Sequence, residues 1–273
     1  MAVTNGWGQA SVNNTIDYGD GAIDNTINWG KVYASSASGD TNIGTSVTPS
    51  FTNTKSILLD GVDDYVDCGD TGILNGGTEL TMSGWFKTTN TNLTQILFST
   101  HQGKKYAEMS LITGGLYCWL GDGTTTSNYN IVNASNLGIS NDTWFHLTMV
   151  FDGSQSTDGT RLKVYKNGNL LTWSNIRTIP TTLATSSQTT YIGSRNTATE
   201  FSGNIDEVAF WHSLPNVNDI YTGSTATDLN VLNPISWWRM GDGDTAPTLT
   251  DNGSGGNNGT MVFFSTFSTD VPT

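Results

Sequence analysis

From Ser56 to Trp211 the chain reads as a succession of short strands of four to eight residues joined by short polar turns, with no helical periodicity between them. That pattern most restricts the fold. Consecutive strands linked by short turns pair antiparallel, and a sheet that buries one face needs a second layer of strands to bury it against. Strands are expected at Ser56 to Leu59, Tyr65 to Cys68, Leu80 to Lys87, Gln95 to Thr100, Tyr106 to Ile112 and Leu116 to Leu120. Further strands are expected at Trp144 to Phe151, Leu162 to Lys166, Leu170 to Trp173, Tyr191 to Gly193 and Asn204 to Trp211. Asn167-Gly168 sits between two of them and predicts a two-residue hairpin with positive φ at both positions. A short helix is read at Pro215 to Tyr221, with Gly223 just beyond it. Trp85, Trp144 and Trp211 alternate within strands and read as core.

Composition agrees: hydrophobic residues are 36% and charged residues 13%, with hydroxyls and amides filling the turns. Eleven basic residues against 24 acidic ones give a net charge of −13. This opposes nucleic acid and anionic membranes as partners and supplies oxygen ligands of the kind calcium takes. No run of apolar residues is long enough for a membrane helix, and the opening MAVTNGWGQ lacks a basic region followed by an apolar one, so neither membrane insertion nor a secretion signal is read here. Cys68 and Cys118 alternate with polar or aromatic neighbours, as small buried residues on strands do; two free thiols or one bridge both fit.

Three regions are expected: an extended N-terminal arm over residues 1–53, the sandwich over 54–233 and a C-terminal extension over 234–273. In the arm Trp7-Gly8, Tyr18-Gly19 and Trp29-Gly30 recur every eleven residues. Each unit is too short to bury its aromatic by itself, so Trp7, Tyr18 and Trp29 are expected to contact a neighbouring subunit or the arm's own sandwich.

Several stretches resemble the laminin G-like, concanavalin A-like jelly-roll family in the family's order. Leu59-Asp60-Gly61-Val62-Asp63-Asp64-Tyr65-Val66 resembles its opening strand pair, Leu80 to Phe86 the next strand, and Trp144 to Gly153 its central strand. Leu162 to Leu171 resembles its Tyr-Lys-Asn-Gly hairpin, and Phe201 to Trp211 its closing strand. The resemblance implies an all-β, two-sheet antiparallel jelly-roll sandwich. It does not by itself fix a function, since lectins, adhesion modules and glucanases share the fold. The arm's repeat and Trp237-Trp238-Arg239-Met240-Gly241-Asp242-Gly243-Asp244 also resemble parts of structural proteins of marine bacteriophages. That implies a virion surface or other extracellular location, with self-association or other virion proteins as partners. Asp251 to Met261 resembles the stretch that usually precedes such a jelly roll; it either completes this sandwich or packs against the next copy.

Related glucanases set three acids at alternate positions of one strand. Here the positions flanking Asp206 are Asn204 and Val208, and His101, His146 and His212 are scattered, so a non-enzyme is expected. Asp60, Asp63 and Asp64 lie in one turn and the resemblance would bring Asp206 beside them as calcium ligands. The alternative is a plain turn, with Asp60 bonding its own backbone and Asp206 neutralised by Arg195 or Arg239. For a cell-surface glycan, Tyr106, Tyr129 and Trp173, in or beside predicted loops, are the candidate binding residues. The expected function is a non-catalytic virion structural or surface protein using the sandwich for assembly and host attachment, or else a calcium-dependent carbohydrate-binding adhesin.

Overall fold

A computed structural model describes residues 51–124, 128–195 and 199–273; the expected contacts of Trp7, Tyr18 and Trp29 lie outside the described residues. The strands in chain order begin with β1 (Ser56–Asp60), β2 (Tyr65–Asp70), β3 (Glu79–Thr88), β4 (Gln95–Gln102), β5 (Lys105–Ile112) and β6 (Gly115–Leu120). There follow β7 (Tyr129–Val132), β8 (Phe145–Asp152), β9 (Leu162–Lys166), β10 (Asn169–Leu170), β11 (Asn175–Ile176), β12 (Thr189–Ile192) and β13 (Ser202–Trp211). The last four are β14 (Ser236–Trp238), β15 (Thr248–Leu249), β16 (Gly259–Val262) and β17 (Phe267–Ser268). Three single-turn helices, α1 (Ala134–Leu137), α2 (Asp158–Arg161) and α3 (Val217–Ile220), interrupt them. Asn216 caps α3, its Oδ1 accepting from the Asn218 N–H at 3.1 Å.

The strands form two antiparallel sheets. One runs β10-β9-β8-β3-β13-β1-β17, with β14 also paired to β13; the other runs β11-β7-β6-β5-β4-β12-β2-β16-β15. Alternation explains the core between them. Met82, Phe86, Leu147, Met149 and Ile205 point inward from the first sheet and meet Val66, Phe98, Met109, Leu116 and Ile192 from the second. Cys68 and Cys118 lie in this core as free thiols; burial raises the pKa of both, that of Cys68 with help from Asp67 and Asp251.

Asn167 and Gly168 have φ of 49° and 74°, as the hairpin requires. Of the three strand tryptophans read as core, none lies between the sheets: Trp211 is fully buried, but on the outer face of the first sheet, its Nε1 donating to Leu232 O at 3.0 Å. Trp85 packs on the same outer face against His146 and Tyr221. Trp144 stands just ahead of β8, half-buried, its Nε1 donating to Asp270 at 2.9 Å. It misses the core because Phe145, the next residue, takes the inward position, so alternation turns Trp144 to the outer face.

The last forty residues build both sheets. β14 extends from β13, β17 pairs β1, and β16 inserts beside β2. Asp251 folds the Asn- and Gly-rich loop that carries the chain between them: its Oδ1 accepts from the Trp237 and Gly253 N–H groups, both at 2.8 Å, and its Oδ2 from that of Asn257 at 2.7 Å. Of the two placements open in the sequence, this segment takes the first and completes its own sandwich.

Candidate functional site

The outward side chains of the second sheet form a row across its strands. Tyr129 on β7 pairs Trp119 on β6, which pairs Glu108 on β5, then Ser99 on β4 and Tyr191 on β12. At one end the rings gather. Trp119 and Tyr129 lie 4.0 Å apart by centroid, Tyr117 stacks on Trp119 at 6.2 Å, and the Arg177 guanidinium sits 5.6 Å over Tyr129. All three rings are half-buried, so each keeps part of its face towards solvent. Beside them Glu108 is 0% exposed and holds a fixed network. It takes both the Nε and NH2 of Arg195, and the Ser99 hydroxyl donates to it at 2.8 Å. Burial alone would raise the Glu108 pKa, but His101, Arg195 and Ser99 together hold it below the ordinary value. Arg195 is raised in turn, chiefly by its hydrogen bonds to Glu108. The pair therefore stays charged and locked, with the arginine edge still partly exposed.

Of the glycan-binding residues nominated from the sequence, Tyr129 belongs to this platform. Tyr106 does not: it is 2% exposed, and its hydroxyl accepts from the Asn128 N–H at 3.4 Å. Trp119 covers it edge-on at 6.1 Å. Trp173 is remote in chemistry as well as position. It packs against the core, its Nε1 donates to Leu162 O at 2.9 Å, and it lines a separate apolar groove of about 530 Å³ with Leu170, Leu171 and Ile176. The nominations missed Tyr117 and Trp119. Their signal was present in Leu116 to Leu120, where Leu116, Cys118 and Leu120 take the inward positions and leave both aromatics outside.

The turn acids divide differently from expectation. Asp60, Asp63 and Asp64 place carboxylate oxygens within 4.8 Å of one another. Asp206 is not with them, because the register sets Ser202 opposite Asp60 and Ile205 opposite Ile57. Asp206 thus lies four residues along β13, about 13 Å away. It is fully buried there, accepting from Asn53 Nδ2 and from the Glu207 N–H, and burial with the charge of Glu207 raises its pKa well above the ordinary value. Neither arginine suggested for it serves it: Arg195 pairs with Glu108, and Arg239 with Glu207 and Asp242. The turn itself carries the local bond of a plain turn, Asp60 Oδ1 accepting from Val62 N–H at 2.8 Å, while Asp64 Oδ2 accepts from Asp60 N–H at 3.1 Å. Burial, then the charges of Asp60 and Asp63, raise Asp64 against the pull of that N–H. Three converging carboxylates short of a counter-charge are a donor set that suits a hard divalent cation.

Among the described residues no helix is long and apolar enough to cross a membrane. A search among curated proteins finds no match to the chain. Among solved structures, the fold is similar to that of a putative carbohydrate binding protein from Bacteroides ovatus, at a TM-score of 0.58 and 15% identity, over 89% of this chain and 68% of that one. A native heptameric SAP-like pentraxin from Limulus polyphemus matches at 0.46 and 18%, over 62% and 82% of the two chains. The CBM40 of Ruminococcus gnavus IT-sialidase, bound to α2,3-sialyllactose, matches at 0.45 and 15%, over 62% and 95%. The family profile described as the concanavalin A-like lectin/glucanases superfamily covers residues 60–221, more than half of the sequence, and the chain belongs to that family.

Proposed function

We propose that this chain is a non-catalytic carbohydrate-binding module, and that it holds sugar rings on the outer face of the β11-to-β15 sheet against Tyr117, Trp119 and Tyr129. The observation that carries the reading is the trio of half-buried rings beside the locked Glu108–Arg195 pair. Aromatic faces take the apolar face of a sugar, while fixed polar groups read its hydroxyls at little ordering cost. The putative carbohydrate binding protein of similar fold supports the same reading. A glycan array followed by titration tests it. Trp119→Ala should weaken binding of any positive glycan about tenfold or more, since removing a central aromatic anchor typically costs over 1 kcal/mol. A wild-type chain that binds no glycan, or a variant that binds as well as wild type, would overturn it.

Calcium at Asp60, Asp63 and Asp64 is the proposed brace of the β1–β2 turn. The carboxylates would supply the charge and the hard oxygens, and bound calcium would pin the turn at the rim of the sandwich. A ligand that binds only the native state raises stability with the logarithm of its free concentration. The melting temperature should therefore rise in millimolar calcium and fall on chelation; indifference to both removes the ion.

The triplicate aromatic-Gly units favour a further element, in which Trp7, Tyr18 and Trp29 tie copies together on a virion or cell exterior so that many weak sugar sites act at once.

A further inference from the structure

At the opposite edge of the same sheet stands a feature that the family profile does not reach. Phe263 follows β16, outside the matched residues 60–221, and is 73% exposed. Its φ is +69°, a backbone region that a bulky side chain enters only at a cost. An apolar ring held both in solvent and in a strained backbone is stabilised by neither burial nor local geometry, the pattern of a residue kept for contact. It is not isolated. Its ring meets Tyr65 edge-on at 6.4 Å, and Tyr65 meets Tyr191 at 5.7 Å. Tyr65 and Tyr191 point outward because Val66 and Ile192, their neighbours in sequence, point into the core. Val262, paired with Tyr65, adjoins them.

Resting on the carbohydrate-binding reading above, we propose that Phe263 and Tyr191, backed by the buried Tyr65, form a second sugar platform, and that the ligand is a polysaccharide strand laid across the sheet rather than a single terminal sugar. The sheet order separates Trp119 on β6 from the Phe263 strand β16 by five strand spacings, about 24 Å. Between them the outward side chains are polar, with His101 and Arg195 partly exposed above the buried Ser99 and Glu108. A chain of sugars stacked at both ends and hydrogen-bonded in the middle matches that order of surfaces. A short oligosaccharide fills one platform only. A chain long enough to reach both gains the effective concentration of a tethered second contact.

The test uses the full chain. A gel-retardation panel of laminarin, xylan, mannan, alginate and polygalacturonate selects the polysaccharide retained most strongly, and its size-fractionated oligomers are then titrated against wild type, Phe263→Ala and Trp119→Ala. In wild type, oligomers long enough to span about 24 Å should bind at least about tenfold more tightly than shorter ones. Phe263→Ala should abolish that advantage of long oligomers over short ones, whereas Trp119→Ala should weaken the binding of both. Because Phe263 is exposed, its replacement should not lower the unfolding midpoint, which serves as the control for folding. Equal affinity for short and long oligomers, or a length dependence that survives Phe263→Ala, overturns the second platform while leaving the Trp119 site standing. Failure of the wild-type chain to bind any member of the panel removes both.

Discussion

Single residues show where local chemistry was readable. Asn167-Gly168 announced its turn, and a Cβ added at Gly168 would meet Tyr221 Cδ1 at 3.0 Å in a backbone already at φ 74°. Gly168→Val should therefore cost on the order of 1 kcal/mol or more, seen as a lower denaturant midpoint with an unchanged slope; an unmoved midpoint would mean the turn tolerates a branched side chain. Glu207 was not readable, because its partners come from the distant β14 region. Trp237 Nε1 donates to it at 2.5 Å and Arg239 pairs with it. Burial nevertheless pushes its pKa up to about 7, from an ordinary value near 4.5. A carboxyl whose pKa is raised by folding stabilises the fold below its unfolded value, and that contribution is lost as pH rises through about 7. His146, which burial pushes down to about 3, works the other way and removes stability as pH falls below about 6.5. Chemical denaturation of wild type and Glu207→Gln between pH 4.5 and 8 separates the two. The difference between their stabilities should shift against wild type as pH rises, and a difference flat in pH would contradict the assignment.

Elements were legible where strands are long and apolar and lost where they are short and polar. β3, β8 and β13 stand out in the sequence by their alternating or continuous apolar residues, and they form the middle of one sheet. β7, of sequence Tyr-Asn-Ile-Val, sits in an Asn-rich stretch that reads as loop, so Tyr129 was placed beside a loop rather than on a strand. The same holds for β16, preceded by the Asn- and Gly-rich loop that Asp251 organises. Parity decided the platform. Once Cys118 is assigned to the core, Tyr117 and Trp119 must face out, whereas Tyr106 also faces out but is covered by Trp119, which alternation cannot show. Removing residues 259–273 should expose the edges of β1 and β2 and take away the buried Met261, whose burial alone is worth about 2 kcal/mol. The truncated chain should melt lower and aggregate through its open edges; a truncated chain that melts with wild type would show that these strands only decorate the sandwich.

For the whole molecule, a net charge of −13 favours dispersed chains in solution, so any self-association must come from specific apolar contacts rather than from general attraction. The three aromatic-Gly units supply candidates, each ring gaining about 2 kcal/mol or more on burial. Light scattering coupled to size exclusion should show a defined oligomer for the full chain and a smaller species after deletion of residues 1–53. A full-length monomer, or an oligomer that survives the deletion, would reduce the arm to a cover for its own sandwich. Whether the sheet face holds sugar is tested most directly by a crystal structure of the chain with a bound oligosaccharide from the selected polysaccharide. Sugar rings should stack on Trp119 and Tyr129, with hydroxyls within hydrogen-bonding distance of Arg195. Sugar density confined to the Asp60–Asp64 turn or to the groove at Leu170 and Trp173, with the Trp119 face bare, would contradict it.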